Sequence, residues 1–285
     1  MTIDSRIDLH THSTASDGTV DPADLVRQAA AAGLTVLALT DHDTTAGWAP
    51  AAAARPAGLT LIRGAEISCR GYGTEPSIPL HLLGYLFDPT YAPLTAELDR
   101  IRAARTVRGE RIVDQLRADG FDISWDAVLG YAAGGSVGRP HIAQALIRAG
   151  LVADTDEAFR PEWLGQRYRL PKDDLDVFTA VRLVHEAGGV TVFAHPAATK
   201  RGRTVPDSMI ADLAAAGLTG LEADHADHRP DQRAHVRRLA DELGLVATGS
   251  SDYHGSHKTV RLGEYTTAPA AYERLVAAAH GVPPI

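Results

Sequence analysis

Cysteine is nearly absent from this chain. Cys69 is the only one, which rules out an internal disulfide and any cysteine-rich zinc or iron–sulfur site. Its place just after Glu66 suggests a buried, inert thiol. Lysine is almost as scarce, with Lys172, Lys200 and Lys258 the full complement. Positive charge is in deficit overall, and the net charge of -8 argues against a general coat for duplex DNA or membrane, since such binding rests on a basic surface. No apolar run approaches the length of a membrane span. Met1 to Arg6 lacks the charged and apolar regions of a signal peptide, so the expectation is a cytoplasmic protein.

What the chain does have is a repeated pairing of apolar strands with metal-type ligands. Ile7-Asp8-Leu9-His10-Thr11-His12 opens it, followed by Ala15-Ser16-Asp17-Gly18-Thr19. Side chains two apart on a strand point the same way, so His10 and His12 offer two imidazoles to one point. The run Val36 to Thr40 ends in Asp41-His42-Asp43. Glu66 follows Thr60-Leu61-Ile62, His81 stands beside Leu82-Leu83, His195-Pro196 follows Val190 to Ala194, and Asp252-Tyr253-His254 follows Leu245 to Thr248. Short apolar runs of this kind are strands buried on both faces. Strands with ligands at one end describe a barrel with a site on its rim, and 285 residues suffice for one such α/β domain.

Taken in order, Asp21-Pro22 starts a helix running to Ala32, and a helix over 45–54 follows the second strand. The third strand runs to Gly64 and presents Glu66, residues 70–79 read as a loop, and 80–86 is a strand carrying His81. The rhythm then breaks. Helices are expected at 91–118, from Trp125, at 139–149 and at 154–159. The barrel resumes with a helix over 175–187, the strand to His195, a helix over 206–216, a strand over 220–223, a helix over 230–243, the strand to Thr248 and a helix over 270–279. The alternation implies a mostly parallel sheet. The reading divides the chain into a barrel of residues 1–90 and 173–285 and a helical insertion, 91–172, over the active site.

With His10-x-His12, Thr40-Asp41-His42-Asp43, Gly64-x-Glu66-Ile67, His81, Ala194-His195-Pro196 and Gly249-Ser250-Ser251-Asp252-Tyr253-His254-Gly255 in this order, the chain resembles the PHP superfamily, named for polymerase and histidinol phosphatase domains. Within it the chain is most similar to stand-alone phosphoesterases with a helical insertion after the fourth strand. These include a nucleoside 3',5'-bisphosphate 3'-phosphatase, a cyclic-phosphate diesterase and a 5'-to-3' exonuclease acting on short RNA. The resemblance implies an α/β fold, a distorted (β/α)7 barrel of PHP type, with two or three divalent ions on the rim. It assigns His10, His12, Glu66 and Asp252 to one ion, Glu66, His81 and His195 to a second, and Asp17, His42 and His254 to a third. Relatives often have Gly-Gly-Ser-Asp-Phe-His where this chain has Gly249-Ser250-Ser251-Asp252-Tyr253-His254; the changed positions are not ligands.

Glu66 suits a bridging role, because a carboxylate has two oxygens to offer. Six imidazoles and three carboxylates form a donor set fitting manganese, zinc or iron better than magnesium or calcium. Glu66, Asp17, His254 and His225 are the candidates for catalysis. For substrate capture, residues 100–117 hold six arginines against Glu110 and Asp114. Arg105 and Arg108 match the family's Arg-x-x-Arg segment, and Arg139 and His225 join them as candidate phosphate contacts; His141 is a weaker one. The alternative for the arginines is a solvated helix face. Asp8, Asp41 and Asp43 are read as partners orienting imidazoles.

The leading expectation is a phosphatase removing the 3'-phosphate of nucleoside 3',5'-bisphosphates, with short 5'-phosphorylated oligonucleotides, including short RNA, as further substrates. A ribosyl cyclic-phosphate phosphodiesterase is the nearest alternative. A metal-stabilised binding domain without catalysis is the alternative of another class. Amidohydrolases also place His-x-His at a barrel strand end, but often add a carboxylated lysine, and no lysine lies on the corresponding strands here.

Overall fold

The first repeating unit shows how this sequence builds its layers. Strand β1 (Ile7–Thr11) is buried throughout, and the chain then turns into α1 (Pro22–Ala31), where the Asp21 side chain accepts from Ala23 N at 2.8 Å and Pro22 supplies a preset φ at the first helical position. Strand β2 (Val36–Leu39) returns parallel to β1. Its side chains alternate between two cores. Leu37 and Leu39 pack with Leu25 and Val26 of α1 in the layer between sheet and helices, while Val36 and Ala38 join Ile7, Leu9, Ile62, Val192 and Val246 on the opposite, inner face. The architecture is that of a computed structural model describing residues 5–71, 77–132 and 134–285.

The remaining elements are α2 (Trp48–Ala54), β3 (Thr60–Gly71), β4 (Ile78–Tyr85), α3 (Ala92–Ala118), α4 (Trp125–Ala132), α5 (Arg139–Arg148), α6 (Thr155–Ala158), β5 (Leu175–Asp176), α7 (Val177–Glu186), β6 (Val190–Phe193), α8 (Asp207–Ala215), β7 (Gly220–Asp224), α9 (Pro230–Glu242), β8 (Val246–Gly249) and α10 (Pro269–Ala278). Seven strands follow the order β1-β2-β3-β4-β6-β7-β8, with β5 attached to β3. The sheet is a nearly closed barrel. Its two edges meet where Thr11 bridges Tyr253 just beyond β8, and His12 N donates to Tyr253 O at 2.9 Å.

The sheet is mostly parallel, as expected, with β4 running antiparallel to both β3 and β6. A short connection can only return a strand antiparallel to its predecessor, whereas a parallel return needs a crossover. The expectation of a loop over 70–79 is corrected: Arg70, Gly71, Ile78 and Pro79 belong to the β3–β4 hairpin, and 72–76 lie outside the described residues. Strand β3 therefore does not stop at Gly64 but passes the rim and continues to Gly71. Because β4 is reversed, it brings its beginning to the end where the other strands bring their tips. That places His81, paired with Ser68, close to Glu66.

Helix α3 has 27 residues, which at 1.5 Å per residue is about 40 Å. Its first half packs on the barrel layer through Leu94, Leu98 and Ile101, and its second half packs through Ile112, Val113 and Leu116 into a separate apolar cluster with Val128, Ile142, Leu146 and Leu164. Gly109 makes this second packing feasible, since a Cβ there would lie 2.9 Å from the Trp125 ring. No described helix is long and apolar enough to cross a membrane.

Candidate metal centre

The rim holds three convergent groups of ligand-type side chains, each with its donor atoms within 4.8 Å of one another: His10, His12, Glu66 and Asp252; His12, Asp17, His42 and His254; and His42, Glu66 and His81. Each pair of groups shares one residue, His12, Glu66 or His42. His195 stands beside them, with Nε2 3.1 Å from Glu66 Oε1, but joins none.

Glu66 is the hub. Its Oε2 lies 3.3 Å from His10 Nε2, 3.1 Å from His12 Nε2 and 3.2 Å from His42 Nδ1, while Oε1 lies 2.8 Å from His81 Nδ1. Burial alone would raise its pKa, but His81, His42 and His10 hold the carboxyl well below its usual range. Asp17 is likewise held low against burial by His42 and His254, and Asp252 by Lys258, His10 and His254. Three ionised carboxylates thus sit in a buried ring of imidazoles.

The hydrogen-bond donors and acceptors of the rim are disposed for cations. His10 Nδ1 lies 3.0 Å from Glu222 Oε1 and so carries the proton of the neutral ring, leaving the Nε2 lone pair aimed at Glu66 Oε2 and at Asp252 Oδ1, 3.4 Å away. His254 repeats the pattern: Nδ1 donates to Asp252 O at 2.8 Å and Nε2 faces Asp17 Oδ1 at 3.3 Å. His42 Nδ1 and His81 Nδ1 are buried and lack a hydrogen-bond partner. Acceptors facing acceptors in a buried site call for a cation between them, so the residues fit divalent metals.

Backbone strain concentrates at the same place. Among the described residues four other than glycine have positive φ, and three of them, Asp43 (56°), His195 (34°) and Asp252 (54°), are on this rim. Each costs on the order of 1–3 kcal/mol and persists because neighbours hold it. Asp41 accepts from Ser13 N at 2.8 Å and from the hydroxyls of Ser13 and Ser16 at 2.7 Å, shaping the turn that delivers Asp17. Gly18 completes that turn, where a Cβ would come within 2.5 Å of His12 O. Asp43 accepts from Ser68 N at 2.6 Å, and Asp8 accepts from Ser251 N and Gly263 N at 3.0 and 2.9 Å. These three aspartates hold backbone and hydroxyl groups. The carboxylate that orients imidazole His10 is Glu222, which also accepts from His195 N at 2.8 Å. Sequence reading passed over it inside an apolar strand.

His225 rests on Asp252. Asp227 N donates to Nδ1 at 2.9 Å, so the neutral ring carries its proton on Nε2, 3.1 Å from Asp252 Oδ2. Two arginines of α3, Arg102 and Arg105, reach the barrel. Arg105 is buried, with Nε 2.7 Å from Asp43 Oδ2 and Nη2 2.6 Å from Ser68 Oγ, while Arg102 donates to Asp43 O at 2.9 Å. Neither Arg105 nor Arg108 lines the clefts beside the metal residues. Arg139 does. It shares a 520 Å³ cavity with His81, His195, Arg169, Lys172, Lys200, Arg201, Arg203 and Phe159. A second cavity of 520 Å³ holds His225, Asp252, Lys258, Lys200 and Arg201. All three lysines of the chain line these two cavities, a signal that their scarcity offered and sequence reading did not use. His141 instead serves its own helix, its Nδ1 accepting from Gly138 N at 3.0 Å.

A family model described as the PHP domain matches residues 8–117. A 5'-3' exoribonuclease of Haemophilus influenzae is 36% identical over 91% of this chain and 93% of its own length. A 3',5'-nucleoside bisphosphate phosphatase of Chromobacterium violaceum is 34% identical over 88% and 87%. Among solved structures, a chain from Bifidobacterium adolescentis assigned to the metal-dependent phosphoesterases is 34% identical and matches with a TM-score of 0.89, covering 97% of both chains.

Proposed function

The chain belongs to the PHP family of metal-dependent phosphoesterases, and from that premise we propose that it removes the 3'-phosphate of nucleoside 3',5'-bisphosphates. The observation that carries this reading is the cationic cavity beside the rim. Arg139, Arg169 and Lys172 crowd together there, and the crowding leaves its mark: burial with the neighbouring Arg169, Arg108 and Arg105 lowers Arg139 to about 10, and burial brings Lys172 down to about 8. Asp174, 3.4 Å from Lys172 Nζ, is the carboxylate that faces this cluster, and an excess of cations over it describes a place for a phosphate. The same cavity reaches His81 and His195, so a ligand could lodge one phosphate among the cations and present another to the metal residues.

Two or three divalent ions, manganese, zinc or iron, would be held by His10, His12, Asp17, His42, Glu66, His81, His195, Asp252 and His254, and they supply Lewis-acid charge for attack of water on phosphorus. The protein's own groups do the rest. Glu66 would serve more than one ion, since it belongs to two of the three groups. Asp17 and His254 form the outer end, and His225 fixes Asp252 by its Nε2–H. Phe159 offers an apolar wall suited to a base. The similarity to a bisphosphate phosphatase and an exoribonuclease supports a nucleotide as the substrate. A second reading, short 5'-phosphorylated oligonucleotides, is favoured by the second cavity beyond Arg201, which gives room for a larger leaving group.

Phosphate release from manganese-loaded protein, measured on adenosine 3',5'-bisphosphate, a ribose cyclic phosphate, histidinol phosphate and a short 5'-phosphorylated RNA, tests this. The bisphosphate should turn over to the 5'-monophosphate, and Asp252→Asn should abolish the reaction. Exclusive turnover of the cyclic phosphate or histidinol phosphate would reject the bisphosphate reading.

A further inference from the structure

His195 is the one candidate ligand outside the three convergent groups, and an arginine engages it. Arg201 Nη1 donates to His195 Nε2 at 3.0 Å, while Nη2 holds Asp252 Oδ2 at 2.6 Å and Nε holds Asp227 Oδ2 at 2.5 Å. The lone pair of an imidazole nitrogen serves one acceptor role at a time, so this arginine contact and cation binding by His195 are alternatives.

His42 makes the alternative consequential. Its Nδ1 lies 3.2 Å from Glu66 Oε2 and its Nε2 3.6 Å from Asp17 Oδ2, so it belongs to two groups. A neutral imidazole has one free lone pair and can complete only one of them. While Arg201 occupies His195, the Glu66–His81 pair must borrow His42 from Asp17 and His254. Once Arg201 moves off, His195 can take that place and His42 returns to Asp17.

We propose that Arg201 is a displaceable cap on His195 that sets how many cations the centre holds at once, and that a phosphate in the cleft draws it away. Arg201 lines both cavities, so an anion in either can reach its planar fork. The turn that carries it is anchored behind the side chain. Ala197 N donates to His228 Nε2 at 3.1 Å and Gln232 Nε2 donates to Ala197 O at 2.6 Å, which leaves the motion to the arginine itself. Asp252 Oδ2 keeps its other donors, Lys258 Nζ at 2.5 Å and His225 Nε2 at 3.1 Å, when Arg201 departs. Substrate and the last cation would then bind with mutual reinforcement. The phosphate half of this rests on the phosphoesterase reading; the cap itself does not.

Calorimetric titration of the full chain with manganese, for the wild type and for Arg201→Met, tests the cap without any turnover. Methionine keeps the stem and removes every donor. Losing a competing charged hydrogen bond should tighten the weakest manganese step about tenfold and leave the strongest step unchanged. Inorganic phosphate should tighten that weakest step more in the wild type than in the variant. An unchanged or weaker last step, with the strongest step intact, overturns the cap. Equal effects of phosphate on both proteins overturn the coupling while leaving the substrate assignment untouched. If the methionine variant loses the strongest step as well, Arg201→Gln is read by the same criteria.

Discussion

Glu222 is wholly buried, and it is placed where its loss should be felt through two other residues. Burial would raise its pKa, but His10 and His225 hold it low, so it meets His10 Nδ1 and His195 N as an anion. Glu222→Gln presents an amide to His10 and sets the wrong tautomer. Manganese affinity should fall about 10–100-fold by calorimetry, while urea unfolding of the chelator-treated protein changes little. Lys172 gives a pH test. Burial, against Asp174 and with the help of Arg105, Arg108 and Arg139, brings it down to about 8. It is charged below that pH and neutral above, so kcat/KM for a bisphosphate should fall about tenfold per pH unit beyond about pH 8. Lys172→Arg should remove that limb of the profile, and a substrate with one phosphate should not show it. The residue-level chemistry was legible where the chain states it locally: a histidine or carboxylate at the tip of an apolar run needs no distant partner to be noticed. Glu222 was not, because it acts on His10 far along the sequence, and Arg201 and Lys258 were not, because each reaches a ligand-type residue from an irregular segment with no periodic pattern to mark it.

Among the elements, α3 was legible almost to its ends, because a long unbroken helical pattern opened by Pro93 carries its own boundaries. Its direction was not. A run of arginines gives the charge of a helix but not which neighbour each faces, and the buried stripe of Leu98, Ile101, Arg105 and Gly109 turns Arg105 toward Asp43. Arg105→Met should therefore cost about 3–5 kcal/mol in urea unfolding by leaving Asp43 buried and unpaired. A residue that clamps substrate would instead raise KM with little loss of stability. Gly109→Ala drives a methyl into Trp125 and should cost about 1–3 kcal/mol by the same assay. The reversed β4 and the two-residue β5 escaped sequence reading for a related reason: pairing direction is set by connection length and neighbours, not by the strand's own composition.

For the molecule as a whole, the barrel concentrates like-charged and strained groups at one end. Cations that bind the folded rim and not the unfolded chain must stabilise it. At a manganese concentration one hundred times the dissociation constant the gain is about 2.7 kcal/mol, and the melting temperature should rise by at least about 5 °C over the chelator-treated protein. An unchanged melting temperature would mean that the rim does not hold metal in the folded state.

The separate apolar cluster at the far half of α3 also bears on how the chain folds. Strands β4 and β6 are neighbours, with Tyr85 opposite Val190, although roughly a third of the sequence lies between them. Bringing such distant segments together is entropically slow, and each halving of the effective loop saves about 0.6 kcal/mol. Helices α3 to α6 make mostly local contacts, so they can collapse early and shorten the tether before the barrel closes. Substitutions such as Leu146→Ala should then slow refolding as much as they destabilise the native state, whereas Val246→Ala on the last strand should mainly hasten unfolding.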